Sequence, residues 1–158
     1  MKKVFLFTAM LLSLALAVSS CKKDEVAAPP TLYTRLGGVN AISAVVDQFI
    51  NNVAANPDMA RTFGPLLADV AANGSNSARL RLLRQNLIDQ IGEAAGGPLK
   101  YKGKSMIEAH RGMNITTAEF NSLVGNLVSA LDQFNVPATE KNELLGVLGG
   151  LQSQIVGQ

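Results

Sequence analysis

Apolar side chains recur at three- and four-residue intervals along most of the chain, and that period predicts helices. Ile42, Val45, Val46, Phe49, Ile50 and Val53 fall on one side of a helix that begins near Val39 and ends at Asn56-Pro57-Asp58. From Ala78 onward, Leu80, Leu83, Leu87 and Ile91 share a face. Arg79, Arg81, Arg84, Asn86, Asp89 and Glu93 lie largely on the other, and Gly96-Gly97 stops the run. Thr116-Thr117-Ala118-Glu119 reads as a capping box, the Thr116 hydroxyl meeting orphan amides while Glu119 reaches back. It predicts a third helix with Phe120, Leu123, Val124, Leu127, Leu131 and Phe134 inward, broken by Val136-Pro137. A fourth runs from about Ala138 to Val156, with Leu144, Leu145, Leu148, Leu151 and Ile155 inward. Thr31 to Gly38 and Met59 to Phe63 read as short turns. Gly64 to Ser77 is less regular, Ala-rich and broken by Asn73-Gly74-Ser75-Asn76. No alternating pattern of useful length predicts a strand, so the expected class is all-α.

Residues 1–30 depart from that period. Met1-Lys2-Lys3 is a positive start, followed by the apolar run Val4 to Val18 and then small residues. This is the layout of an export signal, too short and wrongly flanked for a stable membrane span. Val18-Ser19-Ser20-Cys21 resembles the lipobox of bacterial lipoproteins. The resemblance implies a signal peptide over 1–20, cleavage before Cys21, acylation of that cysteine and a flexible lipidated linker over 21–30. The plainer alternative is an ordinary signal peptide with an incidental cysteine. Lys22-Lys23-Asp24-Glu25 looks like the surface-export tract of some Gram-negative lipoproteins. The expected location is therefore the cell envelope of a bacterium, on the periplasmic face or the outer surface, anchored to lipid through Cys21.

Composition narrows the chemistry. Hydrophobic residues make up 47% of the chain but aromatics only 5%, with no Trp, which suits helices packed by aliphatic side chains. The net charge of +2 comes from Lys2 and Lys3, and without residues 1–20 the cationic and acidic side chains balance. A neutral domain lacks the basic face that nucleic acid requires. A single cysteine rules out an intramolecular disulfide and a cysteine-based zinc site. A single histidine rules out histidine-rich metal clusters, and no nucleophile-elbow signature accompanies it. What remains is chemistry that needs one imidazole.

That imidazole is His110, in Gly96-Gly97-Pro98-Leu99-Lys100-Tyr101-Lys102-Gly103-Lys104-Ser105-Met106-Ile107-Glu108-Ala109-His110-Arg111-Gly112. A basic, glycine-dotted loop leads into a short amphipathic turn, Met106 to His110, between two glycine breaks. Such an element can aim a histidine from the wall of a pocket. Spacing alone leaves His110 undecided between a ligand and a surface or capping residue.

Taken together, Leu32-Tyr33-Thr34-Arg35-Leu36-Gly37-Gly38, Val45-Val46-Asp47-Gln48-Phe49, the Gly96-to-Met106 segment and Glu108-Ala109-His110-Arg111-Gly112-Met113-Asn114-Ile115-Thr116 resemble a group I truncated haemoglobin. The resemblance covers Thr31 to about Val156 and implies a truncated globin domain over 31–158, a two-over-two helical sandwich around haem b. His110 would then be the proximal iron ligand, its other ring nitrogen donating to a carbonyl near Met106 or Ile107. Met106 would touch the porphyrin, Phe63 would wedge it, and Phe49, Ile50, Leu83, Leu87 and Ile91 would form the distal wall. Tyr101 and Lys102 are the expected edge contacts. Each of these also reads as ordinary packing or a solvated face.

The chain departs from the family where Ile50 replaces a common Tyr and Leu87 a common Gln, and where Asn86 stands at a position that can close the sixth iron site. An excess of about twelve residues lies between Phe63 and Leu83. Asn86, Gln90 and Gln85 are the polar candidates on the distal side. The implied function is reversible binding of oxygen, nitric oxide or carbon monoxide. Nitric oxide dioxygenation with an external electron donor is the enzymatic alternative, and a haem-free helical interaction module is the third.

Overall fold

In the computed structural model, residues 28–158 are described. The predicted signal peptide, Cys21 and most of the linker lie outside the described residues. The helices are α1 (Leu32–Arg35), α2 (Gly38–Ala55), α3 (Ala60–Asn73), α4 (Ala78–Ala94), α5 (Met106–His110), α6 (Thr117–Gln133) and α7 (Ala138–Gly149), with single 3-10 turns at Pro57–Met59, Gly74–Asn76 and Gln152–Gln154. Among the described residues there is no strand, only an isolated parallel bridge between Ile115 and Val156. The class is all-α. Helix α2 packs against both α4 and α6, and α7 closes on α4 and α6. This gives the two-over-two helical sandwich that the resemblance implies.

The spacing holds best in α2, while in α4 it is Ile88 and Ile91 that are buried and Leu80, Leu83 and Leu87 of the predicted face stay half-buried. Ile42, Val45, Val46, Phe49 and Val53 of α2 are buried, joined by Ile91 of α4, Leu127 and Leu131 of α6 and Leu144 of α7 in the main core. Helix α4 ends in a Schellman motif: Gly96 adopts φ +76°, its N–H donates to Glu93 O at 3.0 Å, and Gly97 N–H donates to Gly92 O at 2.8 Å. Gly97 has a second constraint, since a Cβ there would lie 2.4 Å from the Tyr33 ring. Arg35 of α1 reaches Glu140 and Glu143 of α7, fastening the start of the domain to its end.

Three boundaries differ from expectation. The irregular stretch from Gly64 is helical as far as Asn73, as the second half of α3. Pro65 forgoes one backbone bond there, but the run from Leu66 is rich in good helix formers. The far end is fastened as well: the Ser77 hydroxyl donates to Asp69, and the Asn73 amide donates to Asp69 Oδ1 at 2.9 Å. The fourth helix stops at Gly149 rather than near Val156. The chain then turns back, so that Gly157 N–H donates to Ile115 O at 2.9 Å and Asn114 N–H to Gln158 O at 2.7 Å. Phe134 is not an inward residue of α6 but its C-cap, 48% exposed.

That returning tail builds a second apolar cluster. Ile115, Phe120 and Ile155 are its buried members, and Met106, Met113, Val124, Leu151 and Val156 pack on them. Helix α5 rests on this cluster rather than on the main core. The described residues thus form two apolar bodies, and the gap between them is where the site lies.

Candidate functional site

A helix of five residues has little stability of its own, so its surroundings must hold it. Ser105 caps α5: its hydroxyl accepts from Glu108 N–H at 3.3 Å and donates to Glu108 Oε2 at 2.7 Å. These bonds from the Ser105 hydroxyl and then its backbone N–H hold the Glu108 carboxyl below its usual range. Beyond α5, Gly112 turns at φ +78° and Asn114 at φ +47°. The carbonyls of Met113 and Asn114 are gripped by the Arg61 guanidinium at 3.0 and 3.2 Å. The same guanidinium pairs with Glu119 at 2.7 and 2.6 Å. Glu119 also accepts from Thr62 Oγ1 at 3.1 Å and from Thr116 N–H at 2.9 Å, completing the predicted capping box. The start of α3, the start of α6 and the chain just after His110 are thereby locked to each other.

The segment before α5 is fastened to α4. Glu93 accepts from the Tyr101 N–H at 2.9 Å and from Lys100 Nζ at 3.0 Å, and those bonds, the backbone one first, lower its pKa. The Tyr101 hydroxyl donates to Lys104 O at 2.7 Å, and burial pushes the phenol's pKa up, so it stays neutral. Gly103 is required beneath it: a Cβ there would lie 2.3 Å from the Tyr101 oxygen.

These restraints frame a cavity of about 530 Å³ between the two apolar clusters. Helix α4 lends it Arg79, Leu83, Asn86, Leu87 and Gln90, which recur on one helical face. Helix α5 lends Met106, Ala109 and His110, and α3 lends Phe63, Pro65 and Leu66. The second cluster supplies Ile115, Phe120 and Ile155. His110 Nδ1 lies 2.7 Å from Met106 O, one turn back. A carbonyl can only accept, so Nδ1 carries the proton, and in the neutral ring the lone pair is on Nε2. Among the described residues Nε2 has no hydrogen-bond partner. The lining is otherwise nearly all apolar, apart from Thr62, Arg79, Asn86, Gln90, Tyr101 and Glu119. Glu119 is neutralised by Arg61.

Of the residues expected at the site, Phe63, Leu83, Leu87, Tyr101, Met106, His110, Asn86 and Gln90 line this cavity. Others do not. Phe49 and Ile50 face a separate cavity of about 120 Å³, bounded on its far side by Leu66, Leu67 and Val70 of α3. The added length of α3 stands between them and the larger space, and Phe63, Leu66 and Leu83 line both cavities. Ile91, 5% exposed, is turned into the main core. Lys102 is exposed and outside the lining. Gln85 is exposed and donates to Asp89 Oδ1 at 2.9 Å along its own helix. Gln90, though in the lining, points its amide at Met106 Sδ, 3.4 Å away. Leu66, Phe120 and Leu123 were not anticipated. The spacing of Phe63, Leu66, Leu67 and Val70 is helical and was the available signal, masked by Gly64-Pro65. Phe120 and Leu123 have the right period in α6, but period does not say what a face meets.

The fold and site can be set beside known proteins. Residues 31–156 match the model of the bacterial-like globin family. The group 1 truncated haemoglobin of Tetrahymena pyriformis is 31% identical over 130 residues, covering 82% of this chain and 98% of that protein. The group 1 truncated haemoglobin GlbN of Mycolicibacterium paratuberculosis is 31% identical over 129 residues, covering 82% of this chain and 86% of the relative. The crystal structure of the Tetrahymena pyriformis protein in its Fe(III) form superposes with a TM-score of 0.70 at 29% identity, over 82% of this chain and 100% of that one. The 2/2 haemoglobin of a Synechococcus species, solved with covalently attached haem, gives a TM-score of 0.64 at 26% identity, over 79% and 95% of the two chains.

Proposed function

The chain belongs to the bacterial-like globins, as a truncated haemoglobin with haem as its cofactor, and from that premise we propose that His110 holds the haem iron and that the protein reversibly binds a diatomic gas. One observation carries this reading: a cavity of about 530 Å³ separates two apolar clusters, and the only histidine of the chain stands in its lining with Nδ1 committed to Met106 O. The residues present fit the cofactor. An apolar slot suits a flat macrocycle, and a neutral imidazole with its Nε2 lone pair unused is the donor that haem iron takes. When bound, haem supplies the iron at which oxygen, nitric oxide or carbon monoxide coordinates.

The chain's own residues then set the conditions. The Met106 carbonyl fixes the tautomer of His110 and the angle of its ring. Met106 and Phe63 offer apolar surface in the same slot, and Leu83 and Leu87 keep water away from one helical face of it. A gas ligand that gains partial negative charge is stabilised by a hydrogen-bond donor. Thr62 is already bonded to Glu119 and Gln90 to Met106, so Asn86 is the amide left in the lining to act as one.

Absorption spectra of the ferric, ferrous and carbonyl forms test the proposal. A Soret band in the wild type that is lost in His110→Ala is expected. A hemin titration giving no such band in the wild type would overturn the reading in favour of a haem-free helical module. Nitrate formed catalytically from nitric oxide with an added reductant would make the protein an enzyme. The lipobox-like segment supports export and attachment to the bacterial envelope. The check is labelled palmitate, which should enter the wild type and not Cys21→Ala.

A further inference from the structure

We propose that Arg79 is the residue that binds an acid group at the edge of the cofactor, an assignment that rests on the haem-site reading above. Five cationic side chains are already committed. Arg35, Arg61, Arg84, Lys100 and Lys141 each pair with a carboxylate of this chain. Arg79 pairs with none among the described residues, yet it is the one arginine or lysine in the lining of the large cavity. Lys102, Lys104 and Arg111, on either side of α5, do not reach that lining.

Its position on α4 is chemically specific. Arg79, Leu83, Leu87 and Gln90 follow one another along a single helical face, so that face offers a cation at one end and apolar side chains after it. Gln90, at the other end, touches Met106 of the helix that carries His110. A ligand matched to this stripe has an apolar body, an electrophilic centre for the imidazole and an anionic edge. Haem b has that distribution, because its two propionates lie on one edge of the macrocycle. An acid group brought to the rim of an apolar cavity must be paired or hydrated, and a guanidinium can meet a carboxylate with two parallel hydrogen bonds.

Local energetics give a second reason. Arg79 lies in the first turn of α4, where the helix dipole disfavours positive charge, and that turn has no acidic residue to offset it. For α4 alone an acid at this position would be the better choice. A bound carboxylate would reverse the penalty, meeting the guanidinium and the positive end of the helix together.

The test compares two forms of one ligand. Wild type, Arg79→Gln, Arg79→Lys and Arg81→Gln are each loaded with hemin or with hemin dimethyl ester, and transfer to excess apomyoglobin is followed in the Soret region. Arg81 is the control, being exposed and outside the lining. The quantity read is the ratio of acid to ester loss rates within each protein, so a change in fold stability cancels. Arg79→Gln should lose hemin about tenfold faster than wild type, the scale of one hydrogen bond to a charged group. It should lose the ester at the wild-type rate. Arg79→Lys should fall between, and Arg81→Gln should match wild type. An Arg79→Gln ratio equal to that of wild type overturns the assignment while leaving the haem site intact. A wild type that takes up no hemin in either form overturns the haem site itself.

Discussion

With Nδ1 of His110 donating to Met106 O, the imidazole has one direction in which its lone pair can act. The other residues of the slot therefore decide what a gas ligand meets there. Leu83 and Leu87 are neighbours on the cavity face of α4, and neither can donate a hydrogen bond. Leu87→Gln puts an amide into this lining without adding charge. Oxygen release from the ferrous protein should then slow by roughly tenfold to a hundredfold, the range of a hydrogen bond to a partly charged acceptor. Carbon monoxide, being less polar, should respond less. Stopped-flow release rates for both gases, in wild type and Leu87→Gln, check this. Equal oxygen rates would mean that position 87 does not face the bound gas. Ile50 is the less informative position because it lines the smaller cavity behind α3. A count along the sequence puts Ile50 one step from Phe49 on the distal side, but it carries no sign that another helix lies in between.

At the scale of elements, the short helix α5 depends on the contacts at its two ends more than on its own residues. The later one centres on Glu119, 14% exposed at the side chain, where Arg61, Thr62 and Thr116 converge. The Arg61 guanidinium first, then the Thr116 N–H and hydroxyl, hold this carboxyl far below its ordinary value of 4.5, with burial opposing and Thr62 adding a little. A carboxyl depressed in the folded state stabilises it fully above the unfolded pKa, and that contribution is lost as the pH falls toward the folded value. The wild-type melting temperature should thus drop steadily as pH falls from about 4.5. Glu119→Gln should melt lower at pH 7 and show a shallower acid limb. Thermal melts across pH 3 to 7 read both, and parallel limbs would show that Glu119 does not govern the acid response. These end contacts were only half legible beforehand. Thr116 to Glu119 could be read because both partners of a capping box lie within four residues. Arg61, fifty-eight residues from Glu119, carries no such mark. The Ser105-Glu108 box was legible on the same grounds but lay in a glycine-dotted stretch that reads as loop.

For the whole molecule, the periodic helices α2 and α6 were legible because each buries much of its apolar stripe in the main core, which is what a repeat of three and four reports. Of the stripe on α4 only Ile91 is buried there, whereas Leu83 and Leu87 border the cavity. Helix α3 does something else. None of its residues is buried: Phe63 packs in part on the main core, and Leu66, Leu67 and Val70 border cavities. A period can be read there, but nothing local says that the stripe borders empty space. Energetically this makes α3 the weakest of the long helices. It is fastened at its start by Arg61 to Glu119 and near its end by Asp69 to Ser77, and between those points it gains little from burial. Its amides should therefore exchange with solvent by local opening, well before those of α2 and α6, which open only with the whole domain. Filling the larger cavity changes that balance, because Phe63, Pro65 and Leu66 would then have a partner to pack against. Hydrogen exchange read by mass spectrometry, with and without hemin, should show protection gained in α3 and α5 and little change in α2. Exchange in α3 that is as slow as in α6 before hemin is added would show that the helix is held by contacts other than these.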